Sequence, residues 1–494
     1  MHENLIELPL KGSSKASILT RMKALRQNDV NWQGGRVFSL VFFAGEEAGE
    51  LIKEAYNLFF SENALNPTAF PSLRRFETKV VAMSAALLGG DGDVVGNMTS
   101  GGTESILMAV KTARDWARAN RPANRVPEIV LPVTAHPAFE KAAHYFDIKP
   151  VRTPVGPDFR ADVAAAGQAI TPNTILMVGS APAYPHGVVD PIAELAQIAR
   201  EKNVLFHVDA CVGGFMLPFV RRLGYPVPDF DFQVPGVTSI SADLHKYGYA
   251  AKGASIILYK NKALRRHQLF AYTDWPGGIY ASPTMAGTRP GGAIAAAWAI
   301  MHYLGQEGYL AIADKVMKTV VRLKEGIQAI DGIHVLGEPE MSLLAIGSEK
   351  LNLYEVGDEM ALRGWHLDRQ QFPPSLHLTV NYAHVDRAEA FLSDLAGAVR
   401  AAKRPSVRKI GSTLLLALAR RVTKLLPSGL VSRLTARVSS LMGVKGASLP
   451  GRSAAMYGMM GSLPNRGDLK DVVLDLVEQF TQPQEGAKEV SHGG

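Results

Sequence analysis

Six short apolar runs, separated by stretches of helical periodicity, govern what this chain can fold into. The runs are Asp93–Asn97, Glu128–Val133, Thr174–Val178, Val204–Val208, Thr238–Ser241 and Ala254–Tyr259. Most are nearly continuous in apolar residues, as strands covered on both faces are. Between them, Glu104–Asn120, Ala138–Phe146 and Pro191–Lys202 repeat apolar residues at helical spacing. The alternation predicts an α/β domain with a mostly parallel central sheet and helices on both faces. It is expected over residues 68–320, preceded by a helical N-terminal segment, 1–67. Met317–Ile330 reads as a long helix leading into a smaller C-terminal α+β domain, 321–481. Residues 482–494 are polar and glycine-containing and read as a flexible tail.

Composition narrows the function. One cysteine in 494 residues excludes a disulfide scaffold and a cysteine-based zinc module. The histidines include no metal-binding spacing, so no metal is expected. The chain carries 53 basic and 46 acidic residues, a net of +7. That excess has one address. From Leu395 to Gly467 there is no acidic residue and there are 13 basic ones, leaving 40 basic against 46 acidic elsewhere. A remainder of net −6 argues against nucleic acid as a partner. The N-terminus lacks the charged-then-apolar pattern of a signal peptide. The longest apolar runs, Ala293–Met301 and Leu414–Ala419, fall far short of the roughly 18–20 residues a bilayer-spanning helix needs. A cytoplasmic protein is expected.

The chemistry-bearing residues come in a telling order. Thr99-Ser-Gly-Gly-Thr-Glu-Ser105 is a glycine-rich turn opening a helix. His136 lies in Thr134-Ala-His-Pro-Ala-Phe139. Val204-Leu-Phe-His-Val-Asp209 is a strand ending in a carboxylate, and Ser241-Ala-Asp-Leu-His-Lys-Tyr-Gly-Tyr-Ala-Ala-Lys252 places His245-Lys246 just after another. Taken singly, the Asp is a turn residue, the glycines a helix cap and the histidine a structural group. Together they supply what pyridoxal 5′-phosphate needs. A lysine amine bonds the cofactor and moves protons. A buried Asp keeps the pyridine nitrogen protonated. A helix N-terminus cradles the phosphate, and His136 stacks on the ring. Cys211 reads as a small core residue.

This arrangement resembles the group II pyridoxal-phosphate-dependent decarboxylase family and, within it, the sphingosine-1-phosphate lyases. The resemblance runs from Leu8-Pro-Leu-Lys-Gly12 through Asn63-Ala-Leu-Asn-Pro67, Ser180-Ala-Pro-Ala-Tyr-Pro-His-Gly187 and Tyr280-Ala-Ser-Pro-Thr-Met-Ala-Gly-Thr-Arg-Pro-Gly291 to Ala454-Ala-Met-Tyr-Gly458. It implies a fold-type-I enzyme, a homodimer whose active sites draw on both subunits. Lys246 would be the Schiff-base lysine, Asp209 the pyridinium partner, and Gly102, Thr103 and His245 the phosphate site. Thr288 would reach the phosphate from the partner subunit. Tyr184 and Lys252 would serve the reacting centre, with Asn63, Asn66 and Phe42 lining the substrate. The implied reaction is retro-aldol cleavage of a phosphorylated long-chain amino alcohol, an amphiphilic small molecule, to an aldehyde.

Two departures bear on the substrate. The lyases commonly carry Tyr where this chain has Phe42 and His where it has Asn66, both serving substrate phosphate. Phe42 lacks the donor and Asn66 offers only neutral hydrogen bonds, about half as strong as charge-assisted ones. An amino-acid α-decarboxylase is therefore the alternative, and a non-catalytic membrane-associated protein retaining the fold the weaker one. The basic stretch suggests where a membrane would be met. Ser412–Leu426 and Leu430–Met442 read as short amphipathic helices rich in Arg, suited to peripheral contact with an anionic surface through residues 400–446. The competing reading is a solvated helical hairpin.

Overall fold

The structure is a computed structural model and describes residues 8–66, 68–121, 126–404 and 466–481. The chain enters through α1 (Lys15–Leu25), α2 (Glu46–Leu58) and α3 (Pro71–Leu87). Seven strands then build the central sheet: β1 (Val95–Thr99), β2 (Glu128–Pro132), β3 (Lys149–Thr153), β4 (Thr174–Ser180), β5 (Leu205–Asp209), β6 (Ser239–Ala242) and β7 (Ser255–Tyr259). Their spatial order is β1-β7-β6-β5-β4-β2-β3. Strands β6, β5, β4, β2 and β3 are parallel. Strand β7 is reversed against both β6 and β1, so β1 points the same way as the parallel set. The carboxyl ends of β1, β2, β4, β5 and β6 therefore share one edge, where open α/β sheets bind ligands.

The burial explains the sequence pattern. Strands β2, β4, β6 and β7 are buried at every residue, so neither face needs polar residues. Strand β3 lies at the sheet edge with Lys149 and Arg152 exposed, which is why no apolar run marks it. Helices α4 (Gly102–Asn120), α5 (Ala138–Phe146), α6 (Val163–Gln168), α7 (Ile192–Glu201) and α8 (Leu217–Arg222) fill successive connections. Ile106 and Val110 of α4 and Phe139 and Ala142 of α5 share a core with Ile129, Leu131, Leu176 and Val178 of the sheet. Burying each large side chain here contributes about 1.5–3 kcal/mol. That core fixes where α4 begins, and hence the position of its first turn.

After α9 (Lys262–Arg265) comes an exposed hairpin, β8 (Phe270–Trp275) and β9 (Gly278–Ser282). It leads into α10 (Gly291–Gln328), which breaks at Gly305 (φ 54°, ψ −173°), a conformation glycine adopts at little cost. The helix expected at Met317–Ile330 is the second half of α10, so it begins earlier than its apolar pattern suggested.

The chain divides into two compact units. One is Phe38–Gly347 with His377–Leu392; the other takes the described residues of Met1–Val37, Ser348–Leu376 and Ser393–Gly494. In the first, β10 (His334–Val335) and β11 (Leu343–Gly347) pair antiparallel. In the second, α11 (Leu353–Leu362) and β12 (Asp368–Gln371) are joined by the Arg369–Asp358 ion pair at 2.7 Å, and Arg36 stacks over Trp365 at 4.9 Å. Three further elements follow: β13 (Pro374–Thr379), α12 (Ala388–Lys403) and α13 (Arg466–Thr481). The basic insertion expected around 400–446 lies outside the described residues beyond 404, as do Ala454–Gly458 and the tail 482–494. Among the described residues no helix is long and apolar enough to cross a membrane, and no cluster of metal ligands occurs.

Candidate active site

Strand β1 delivers the chain to a turn that opens α4. Ser100 donates its N–H to Glu104 Oε2 at 2.6 Å, and Glu104 Oε1 accepts from Met285 N at 2.9 Å. The buried Glu104 thus ties the turn to the segment after β9. Below it, Thr99, Ser105 and Ser255 share a chain of hydroxyl contacts at 2.7 and 2.8 Å. The first N–H groups of α4 lack intrahelical partners and sit at the positive end of the helix dipole. Gly102 is required here. A Cβ at this position would stand 2.8 Å from both Asp243 carboxylate oxygens and 2.9 Å from Cys211 Sγ. Thr103 beside it is exposed.

Asp209 ends β5, and the parallel register sets it opposite Ser241 of β6. Its Oδ1 accepts from Cys211 N at 3.1 Å and from Ser241 Oγ at 3.4 Å. Cys211 is buried, and burial first, then the charges of Asp209 and Asp243, pushes its thiol well above the usual range. It is an inert part of the wall, in keeping with a core residue.

The loop after β6 carries the lysine. Asp243 N donates to Cys211 O at 3.1 Å, His245 N to Ala254 O at 2.9 Å and Ala250 N to Leu244 O at 2.9 Å, so the loop folds back on itself. Gly248 lets it close, since a Cβ there would lie 2.5 Å from Leu244 O. Lys246 Nζ pairs with Asp243 Oδ2 at 2.8 Å. Burial opposes the lysine charge, but the charge and hydrogen bond of Asp243, together with the other acidic groups of the site, outweigh it and the net shift of Lys246 is upward. Burial likewise raises Asp243, but Lys246 and then His245 outweigh it and its pKa is lowered. His245 accepts from Ala254 N through Nδ1 at 3.3 Å, and burial lowers its pKa.

A second group adjoins the first. Tyr247 is fully buried, donating to Val380 O at 2.6 Å and accepting from Ser342 Oγ at 2.5 Å. Phe42 meets its ring edge-on, with centroids 4.9 Å apart. Lys252 Nζ stands 5.4 Å from the Phe42 centroid. Tyr184, after β4, lies against His377 with centroids 4.3 Å apart, and the His377 Nε2 is 2.9 Å from Tyr184 O. His136 follows β2 and is exposed, its Nδ1 accepting from Ala138 N at 3.1 Å.

Asn63, Asn66 and Thr288 form a third group. Asn63 bridges antiparallel to Pro290, and Ala64 N donates to Arg289 O at 3.0 Å. Asn66 Oδ1 accepts from Thr68 N, Thr68 Oγ1 and Ala69 N at 2.9, 2.7 and 3.3 Å. That turn uses its carbonyl, leaving the amide nitrogen as its donor. Thr288 is exposed. No hydrogen bond among the described residues links this group to Lys246.

The residues that sequence reasoning passed over are Asp243, Ser241, Glu104 and Tyr247. Asp243 had a signal, an acid three places before the lysine. Together the first turn of α4, where a Cβ at Gly101 would meet only His245 Cε1 at 3.5 Å, the buried carboxylate of Asp209 and the lysine at 246 fit pyridoxal phosphate, because a helix N-terminus offers free N–H groups to an anion.

Comparison with known proteins agrees with that fit. A family model for the pyridoxal-dependent decarboxylase conserved domain matches residues 17–346. The sphingosine-1-phosphate lyase of Arabidopsis thaliana is 48% identical over 404 residues, 80% of this chain and 74% of that protein. Sphingosine-1-phosphate lyase 1 of Rattus norvegicus is 44% identical over 408 residues, 82% and 72% of the two chains. The solved structure of the Burkholderia pseudomallei sphingosine-1-phosphate lyase superposes with a TM-score of 0.79 at 41% identity, covering 83% of this chain and 96% of that one. Glutamate decarboxylase of Lactobacillus brevis shares the fold, with a TM-score of 0.71 at 21% identity over 82% and 97%.

Proposed function

The chain belongs to the pyridoxal-dependent decarboxylase family, in its sphingosine-1-phosphate lyase branch, and from that premise we propose that it cleaves a phosphorylated long-chain amino alcohol such as sphingosine 1-phosphate to a fatty aldehyde and phosphoethanolamine. The observation that carries this reading is the Lys246 loop, which sets a charged lysine against Asp243 beside the first turn of α4 at the carboxyl edge of the sheet.

Pyridoxal 5′-phosphate, when bound, supplies an electron sink for the cleaved Cα–Cβ bond. The chain's residues do the rest. Gly102, Thr103 and His245 would hold the cofactor phosphate, and Thr288 would complete that site across a homodimer. Asp209 would hold the proton on the pyridine nitrogen; the Ser241 and Cys211 bonds orient its carboxylate. His136 would stack on the cofactor ring. Lys246 would hold the cofactor through its Nζ and would carry protons to the product carbon, with Asp243 holding its charge. Lys252 Nζ takes the proton of the 3-hydroxyl, because burial and then the Lys246 charge lower its pKa. Tyr184 would serve the same step. Asn63 and the Asn66 amide line the substrate phosphate. The basic segment 400–446 rests on an anionic membrane from the cytoplasmic side and brings a bilayer-resident substrate within reach.

Product analysis tests the reading. Dihydrosphingosine 1-phosphate should yield a long-chain aldehyde. Carbon dioxide from an amino acid, with no aldehyde, would make the protein a decarboxylase instead.

A further inference from the structure

Phe42 occupies a position where the resemblance implies a tyrosine serving substrate phosphate, and the structure gives its ring another task. The Lys252 ammonium lies over its face, 5.4 Å from the centroid. Its edge rests on Tyr247 at 4.9 Å and 73°. Tyr247 is itself immobilised by Val380 O and Ser342 Oγ. Lys252 has need of such a support. The nearby carboxylate, Asp243, is taken by Lys246 at 2.8 Å. Among the described residues no carboxylate stands within ion-pair distance of Lys252. The charged and titratable groups that act on it are Lys246, Asp243 and, in the same loop, His245.

We infer that Phe42 is a positioning residue, an aromatic shelf that fixes the Lys252 ammonium beside the reacting centre through a cation–π contact. The electron-rich ring face attracts the cation. It favours the charged lysine while burial and Lys246 oppose it, so the ring sets how readily Lys252 gives and takes a proton. Replacing the family's tyrosine then changes the function of the position: it acts on the base, and substrate phosphate must be bound elsewhere. The contact itself stands without the lyase reading; only its catalytic consequence rests on that reading.

Fluorinated phenylalanines at position 42 test this without altering shape. One, two and three fluorines withdraw electron density from the ring face in steps. The pKa of Lys252 in the cofactor-free protein is read by competitive acylation and mass spectrometry of the labelled peptide. A stepwise fall totalling about 0.5–1 pKa unit is expected from the strength of such contacts. Phe42→Tyr, which keeps the face, should leave Lys252 within a few tenths of a unit of the wild type. An unchanged Lys252 pKa across the fluorine series would overturn the inference. The assay needs no substrate, so that failure leaves the lyase reading standing, and a failed aldehyde assay leaves this one standing. With activity in hand, the limb of the kcat/KM–pH profile that reports Lys252 should move with the same steps.

Discussion

Asp243→Asn deletes the charge beside Lys246 and keeps the side chain's shape. The two groups are 2.8 Å apart, and Asp243 is 1% exposed against 25% for Lys246. An opposite charge within about 4–6 Å shifts a pKa by about 1–3 units, so the lysine of the variant should titrate that much lower. Below both pKa values the fraction of free amine rises tenfold per unit. Capture of an aldehyde by Lys246 near neutral pH should therefore accelerate by about 10- to 1,000-fold. The assay mixes cofactor-free protein with pyridoxal phosphate, and separately with pyridoxal, and follows the absorbance of lysine-bound cofactor across pH. Pyridoxal lacks the phosphate, so it reports the lysine free of any repulsion between phosphate and Asp243. Loss of a buried partner also destabilises, typically by about 3–5 kcal/mol. The value here should lie toward the low end, because Lys246 can shed its proton. Identical pyridoxal capture in variant and wild type, in rate and in pH dependence, would refute the assignment of Asp243 as the holder of the lysine charge.

Other outcomes follow from single groups. Gly102→Ala pushes a methyl group onto Asp243 and Cys211; about 1–3 kcal/mol of overpacking should appear as a lower thermal midpoint and roughly tenfold weaker cofactor binding. His207 is fully buried, and burial lowers its pKa from 6.5 to about 4. Its unfolded form takes up protons first, so stability present above about pH 6.5 is lost as pH falls toward 4. Between about pH 7 and pH 5 this amounts to about 2 kcal/mol, and His207→Asn should flatten that slope in urea unfolding. Residues 400–446 should carry the protein onto anionic vesicles in co-sedimentation, and salt should release it; deletion of the segment should abolish the binding.

What the sequence made legible follows the burial. Strands covered on both faces wrote themselves as apolar runs, and Ala138–Phe146 matches α5 end to end. Strand β3, with charged residues at the sheet edge, and the exposed β8–β9 hairpin left no such trace. The boundary of α10 was obscured because its first half reads only as the apolar run Ala293–Met301 and Gly305 interrupts the periodicity. At the candidate site, Gly102, Asp209 and Lys246 stood out in the sequence because each lies at or just after the end of a strand. Ser241 could not be paired with Asp209, because that contact depends on the β5–β6 register, which spacing along the chain does not encode. The Phe42–Lys252 contact joins residues 210 positions apart and belongs to the folded state alone.

Borohydride reduction of the cofactor-loaded protein, followed by peptide mass spectrometry, tests the central claim most directly. Reduction converts the bond between cofactor and lysine into a stable amine, so the attachment point survives digestion. The pyridoxyl group should be found on Lys246, and Lys246→Ala should carry none and release no aldehyde. Attachment at Lys252 or another lysine, or full aldehyde release by Lys246→Ala, would contradict the account.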